Sequence, residues 1–199
     1  MTILYEVHNG LYVNMTNKCP CACTFCLRME KDSVGNSGSL WLEREPTVEE
    51  VKAEFDKTDL SKYKEIVFCG YGEPTERLDD ILEICAYLKS FCSLPIRINT
   101  NGMSDLINGR NTAPEFKGKI DVVSISLNTP NKERFYELTR NKFGIDAFDA
   151  MLRFAGEVKN YVSKVVLTTV ETTITKEEET ECAKICEDLG VNYRIRPFE

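Results

Sequence analysis

Lys164-Val165-Val166-Leu167-Thr168-Thr169-Val170 is a β-branched run with the composition of a strand. Shortly after it, Thr175-Lys176-Glu177-Glu178 forms a capping box, in which hydroxyl and carboxylate each satisfy an open backbone N–H, and a helix is predicted from there to Gly190. Val191 to Arg196 is a further strand. A strand, a helix and a strand in succession call for parallel pairing through a right-handed crossover. The same alternation runs back through the chain. Strands are expected at Ile120 to Ser126, Pro95 to Thr100 and Glu65 to Gly70, and helices at Leu78 to Phe91, near 131–139 and near 146–160. A weak helix or irregular segment fills 103–116, and Thr47-Val48-Glu49-Glu50 is another capping box, opening a helix through about Lys57. Ile3 to Val7 and Leu11 to Met15 flank Asn9-Gly10, a strong hairpin signal because both residues tolerate positive φ. Counting from Leu11, six strands alternate with helical connections. A doubly wound open sheet fits this pattern, but a partial (β/α)6 TIM-like barrel with an N-terminal β-hairpin fits better. A full eight-unit barrel takes about 250 residues. The expected class is therefore α/β, a single domain over residues 1–199.

Composition narrows the function. The 199 residues carry 25 basic and 32 acidic side chains, a net charge of −7, which argues against a broad nucleic-acid surface needing Lys and Arg to replace counterions. No apolar run approaches the roughly 18 to 20 residues that cross a bilayer, so no membrane partner is expected. The N-terminus lacks the basic start and apolar core of a secretory signal, so a cytoplasmic protein is expected. Nine cysteines are an odd number, and four of them fall between Cys19 and Cys26. Such crowding in a reducing compartment points to metal ligation, because adjacent thiolates repel unless a cation neutralises them.

Those four lie in Asn17-Lys18-Cys19-Pro20-Cys21-Ala22-Cys23-Thr24-Phe25-Cys26, directly after the first barrel strand. Cys19, Cys23 and Cys26 make a Cys-x3-Cys-x2-Cys spacing with an aromatic residue before the last. Three thiolates hold three irons of a [4Fe–4S] cubane, which normally takes four cysteines, leaving one iron open. Phe68-Cys69-Gly70-Tyr71-Gly72-Glu73-Pro74-Thr75 ends the next strand, Asn99-Thr100-Asn101-Gly102 the one after, and Ser124-Ile125-Ser126-Leu127-Asn128 follows. Alternation puts Ser124, Ser126 and Asn128 on one face.

In these motifs the chain resembles the radical SAM superfamily, most closely the small TatD-associated radical SAM proteins. The resemblance covers essentially the whole chain and implies two cofactors, a [4Fe–4S] cluster on Cys19, Cys23 and Cys26 and S-adenosyl-L-methionine. Gly70, Tyr71, Gly72 and Glu73 would hold the amino group of S-adenosylmethionine. Asn99, Ser126 and Asn128 are similar to the family's strand-end contacts, with Asn128 where many relatives carry Asp, and Phe25 would pack near cluster and adenine. The implied reaction is reductive cleavage of S-adenosylmethionine to a 5′-deoxyadenosyl radical that abstracts hydrogen from an unidentified substrate, small molecule or peptide. An electron donor such as flavodoxin or ferredoxin is implied as a partner, and no residue is assigned as catalytic.

Plainer readings stand beside these. The cysteines would also suit a structural zinc site with Cys21 as fourth ligand, in a non-catalytic binding module, although Cys21 lies too close to Cys19 and Cys23 for easy tetrahedral geometry. Cys69, Cys85, Cys92, Cys182 and Cys186 read as buried or part-buried small apolar residues. His8 reads as an exposed turn residue, and Glu177-Glu178-Glu179 as an acidic first helical turn. Lys18, Arg28 and Lys31 flank the cysteine loop, where they either dock an acidic electron carrier or are solvated charge. Arg97, Arg194 and Arg196 bind a substrate carboxylate or phosphate if their face looks inward, and decorate an edge if it looks outward. The last strand runs out at Phe198-Glu199, and a partner, second subunit or substrate is expected along its edge.

Overall fold

The structure is a computed structural model that describes residues 1–35 and 37–197. Phe198 and Glu199, where the sequence analysis placed the end of the last strand's edge, lie outside the described residues.

Seven strands form one sheet in chain order: β1 (Leu4–Val7), β2 (Gly10–Val13), β3 (Glu65–Phe68), β4 (Ile96–Thr100), β5 (Val122–Ser126), β6 (Lys164–Val170) and β7 (Asn192–Arg196). β1 runs antiparallel to β2, and every later neighbour is parallel. The crossovers carry α1 (Val48–Asp56), α2 (Leu78–Lys89), α3 (Ser104–Asn108), α4 (Lys132–Thr139), α5 (Ala147–Val158) and α6 (Lys176–Leu189). A doubly wound sheet would reverse its strand order at a switch point. Here the order never reverses, and β7 does not meet β1, so the sheet is an open partial barrel as expected.

The hairpin turn sits one residue earlier than the Asn9-Gly10 signal placed it. Val7 pairs with Gly10, so His8 and Asn9 are the two loop residues, and the positive φ of 52° falls on the exposed His8. Both capping boxes form, Thr47 with Glu50 at α1 and Thr175 with Glu178 at α6.

Alternation along the strands separates two faces. Val13, Ile66, Phe68, Ile98, Val123, Ile125 and Leu167 turn towards the helices and are at most 1% exposed, packing in one core with Val51, Phe55, Ile81, Leu88 and Phe154. Burial of each such side chain contributes about 1.5–3 kcal/mol, so this layer holds the helices on the sheet. The opposite parity faces inward as rungs across the strands. Val67, Arg97, Val122 and Lys164 share one rung, Asn99, Ser124, Val166 and Asn192 the next, and Ser126, Thr168 and Arg194 the third. None of the described helices is long and apolar enough to cross a membrane.

Candidate functional site

The cysteine loop leaves the end of β2 and is anchored on both sides. On one side it bonds to the C-terminal end of α4: the Ala22 N–H donates to Thr139 O (3.0 Å), the Thr24 N–H to Leu138 O (3.0 Å), and the Lys142 N–H to Pro20 O (2.9 Å). On the other side it meets the glycine loop after β3, where the Glu73 N–H donates to Lys18 O (2.8 Å). Asn17 pairs with Leu42 through both its amide groups, at 2.7 and 3.1 Å. Across the loop lies Arg28. Its guanidinium donates to the carbonyls of Asn17, Tyr71 and Cys21 (3.3–3.4 Å) and stands 6.0 Å from the centroid of the Trp41 ring.

This placement changes the reading of the basic trio. Arg28 ties main chain together, and Lys18 pairs with Glu45 at 3.2 Å, while Lys31 is exposed and makes no ion pair among the described residues. Phe25, directly before Cys26, is 42% exposed, and Leu27, Met29 and Trp41 are likewise exposed large apolar residues.

The glycines of Gly70-Tyr71-Gly72 are also required by the chain's own packing. A β-carbon on Gly72 would lie 2.3 Å from Thr16 O and 2.6 Å from Lys18 O, and one on Gly70 would lie 2.1 Å from Asn14 Oδ1. The loop therefore packs against the chain's own cysteine loop and its approach. Tyr71 turns away from the loop's inner side: its hydroxyl donates to Lys31 O and its ring meets Trp41 edge-on, 5.3 Å between centroids.

Glu73 is buried. Its Oε1 accepts from the Thr75 N–H (3.1 Å), the Thr75 hydroxyl (2.8 Å) and the Thr100 hydroxyl (2.6 Å), and its Oε2 accepts from the Asn101 N–H (2.8 Å). Burial pushes its carboxyl above the usual range and those four donors pull it back. Glu73 thus joins the end of β3 to the end of β4, leaving Oε2 with spare acceptor capacity for an ammonium group. Asn101 completes the link, with its side-chain amide 3.8 Å from the sulfur of Cys21. Thr100, Asn101 and Arg28 are the positioning residues that the sequence reading missed. Only the Asn-rich Asn99-Thr100-Asn101 run carried any signal for them.

The four thiols are not equivalent. The neighbouring Cys21 thiol holds Cys19 and Cys23 below the ordinary range, and the same neighbours together with burial push Cys21 above it. Arg28 adds to the lowering at Cys23, whereas burial raises Cys26. Cys21 is 4% exposed, and the other three are part-buried. Cys19, Cys23 and Cys26 place three part-buried free thiols on one loop, a soft donor set that suits an iron–sulfur cubane, in which each thiolate binds a different iron.

At the other strand ends, Asn99 lies on the inner face and accepts from the Arg97 guanidinium (2.6 Å), and Ser126 is part-buried on the same face. Asn128 does not continue the alternation, because β5 ends at Ser126 and Asn128 takes φ 64°, a left-handed conformation that Asn tolerates. Its N–H donates to Thr168 O (3.2 Å) and its side chain is buried. Arg97, Arg194 and Arg196 do share the inner parity. Arg97 is committed to Glu65 through two bonds of 2.7 and 2.9 Å. Cys85, Cys182 and Cys186 are buried, and Cys69 and Cys92 part-buried, as their plainer reading held.

Comparison with known proteins agrees with this geometry. Molybdenum cofactor biosynthesis protein 1 of Drosophila melanogaster is 32% identical over 136 residues, 68% of this chain and 22% of that protein. The structure of Streptococcus suis SuiB bound to precursor peptide SuiA superposes with a TM-score of 0.69 at 15% identity, covering 98% of this chain and 40% of that one. Native anSMEcpe with bound AdoMet gives a TM-score of 0.63 at 19% identity, covering 94% and 50%. The chain thus spans about a fifth of its curated relative and half or less of these structures. The Radical SAM superfamily profile matches residues 13–189, from the end of β2 to the end of α6, and the chain belongs to the radical SAM superfamily.

Proposed function

We propose that this chain is the core of a radical S-adenosylmethionine enzyme, with Cys19, Cys23 and Cys26 as ligands of a [4Fe–4S] cluster and with S-adenosylmethionine held across the ends of β3, β4 and β5. The observation that carries this reading is the clamp between the two loops: the Glu73 N–H bonded to Lys18 O, with the Glu73 carboxylate bonded onward to Thr100 and Asn101. When bound, cluster and S-adenosylmethionine supply a one-electron cleavage that yields a 5′-deoxyadenosyl radical, which takes hydrogen from a substrate. The chain's own part is positional. Arg28 and the α4 bonds fix the cysteine loop, the spare lone pair on Glu73 Oε2 receives the ammonium group of S-adenosylmethionine, and Asn99, Ser126 and Asn128 offer polar contacts at the strand ends. Phe25 closes over the bound pair from the exposed side and limits access of water.

The substrate is a small molecule or a peptide; SuiB, similar in fold, is described with a precursor peptide. An electron donor of the flavodoxin or ferredoxin kind would approach Lys31 and the exposed Phe25, Leu27 and Met29. The narrower likeness to TatD-associated proteins rests on the sequence motifs.

Anaerobic reconstitution with iron and sulfide tests the reading. The expected product is a brown protein whose spectrum changes on adding S-adenosylmethionine and which releases 5′-deoxyadenosine on reduction. Cys19→Ser, Cys23→Ser and Cys26→Ser should each lose iron, while Cys21→Ser retains it. A colourless chain with one tightly held zinc would overturn the proposal.

A further inference from the structure

The inner wall of the sheet holds charges that the cofactors do not explain. A cavity of about 450 Å³ lies against it, bordered by Glu65, Arg97, Ser124, Lys164, Asn192 and Arg194. The lone carboxylate among these, Glu65, is neutralised by Arg97 at 2.7 and 2.9 Å. Lys164 and Arg194 are exposed to the cavity and make no ion pair among the described residues. The wall therefore carries an excess of two positive charges in a chain whose net charge is −7. Like charges gathered on a concave wall raise the local positive potential, which attracts an anion into the cavity. Hydrogen-bonding capacity matches the charge. The Ser124 hydroxyl has no partner among the described residues, and the Asn192 amide donates one of its two N–H groups to Val165 O (3.1 Å), leaving the second as a donor. Arg194 stands on the same rung as Ser126, directly across from Thr168. An anion held there sits on the wall that runs up to the strand-end site.

We propose that this wall binds an anionic group of the substrate, phosphate or carboxylate, through the Arg194 guanidinium, with Lys164 and the Ser124 hydroxyl as further donors. The proposal rests on reading the cavity as the substrate chamber of the radical enzyme, and it narrows the substrate to a negatively charged compound. Arg194 supplies the planar fork that suits two oxygens of one anion, and Lys164 acts as a point charge lower on the wall. Binding weakens as salt rises, because the cavity is open to solvent.

The test titrates the reconstituted full chain, without S-adenosylmethionine, with inorganic phosphate and separately with succinate at constant ionic strength, read as the rise in unfolding temperature. Saturable stabilisation by at least one of them is expected, with phosphate alone or succinate alone naming the preferred chemistry. Arg194→Gln should weaken that binding about tenfold or more, the loss of a charge-assisted contact. Lys164→Gln should weaken it less, Arg194→Lys should retain part of it, and Arg153→Gln on the exposed face of α5 should leave it unchanged. If Arg194→Gln does not fold, Arg194→Lys and Lys164→Gln carry the comparison. Absence of saturable binding to the wild type, or equal affinity in the Arg194 and Arg153 variants, overturns the proposal. A wild type that binds phosphate but releases no 5′-deoxyadenosine on reduction refutes the radical reading instead, so the two failures are distinguishable.

Discussion

Substituting Gly72 by alanine should do more harm to the iron site than any other one-methyl change in the chain. The added carbon would sit 2.3 Å from Thr16 O, 2.8 Å from Thr16 C and 2.6 Å from Lys18 O. All three are main-chain atoms, so nothing can rotate out of the way, and relief requires the two loops to separate. Overpacking of this kind costs about 3 kcal/mol, and for a chain of this length that lowers the melting temperature by roughly 6–12 °C. Gly70→Ala is the internal control. Its closest contacts are the Asn14 side-chain atoms, at 2.1 and 2.8 Å, and that amide can swing aside by giving up its 2.7 Å bond to Leu40 O. The cost there is about 1–2 kcal/mol. The separation in Gly72→Ala falls at Thr16 and Lys18, three and one residues before Cys19, so iron retained after anaerobic reconstitution should fall further in that variant than stability alone accounts for. Urea unfolding of the metal-free chains, set beside iron per chain, measures both effects. Equal stability in the two variants to within about 0.5 kcal/mol, with equal iron, would refute the clamp.

Three further outcomes follow from named contacts. Arg28→Gln removes the donor shared by three carbonyls and should cost about 1–2 kcal/mol together with much of the retained iron, measured by visible absorbance per chain; an unchanged iron content contradicts the bracing role. Glu73→Gln sets an amide against an arrangement of four donors, so at least one buried N–H or O–H loses its acceptor, for about 1–3 kcal/mol in urea unfolding; a neutral result would show that the strand-end link is unimportant. Glu50, held at about 2 first by the Arg44 guanidinium and then by the Thr47 N–H, is a depressed carboxyl. Its contribution to the start of α1 is present above the usual carboxylate value of 4.5 and is lost as the pH falls from there through about 2. Carboxyl-carbon NMR should place its midpoint well under its exposed neighbours, and a midpoint of 4 or above contradicts the capping pair.

The order of strands and helices was readable because each element announces itself locally, as the capping boxes at Thr47 and Thr175 do. The Cys19, Cys23, Cys26 spacing was readable for the same reason. What sequence could not supply depended on partners far along the chain. The steric need for Gly72 was not readable, because nothing local to residues 70–75 reveals that Thr16 and Lys18 lie against it. Arg28 looked like surface charge, since its acceptors are carbonyls, which every residue carries. Alternation was extended to Asn128 because a period of two has no internal sign of where a strand stops; the left-handed φ at that residue ends it. The inward parity of Arg194 followed from alternation once the core face was known, whereas the engagement of Arg97 by Glu65 required the β3–β4 register.

The bonds from Ala22 and Thr24 to Thr139 and Leu138 have a dynamic consequence. A loop with little secondary structure of its own borrows its order from a helix over a hundred residues later, so its local opening is tied to the fraying of that helix. Amide protons of Ala22 and Thr24 should exchange with solvent in step with the last turn of α4 and faster than those of β3. Under mild heating, the protein would then surrender its iron while the sheet remains intact.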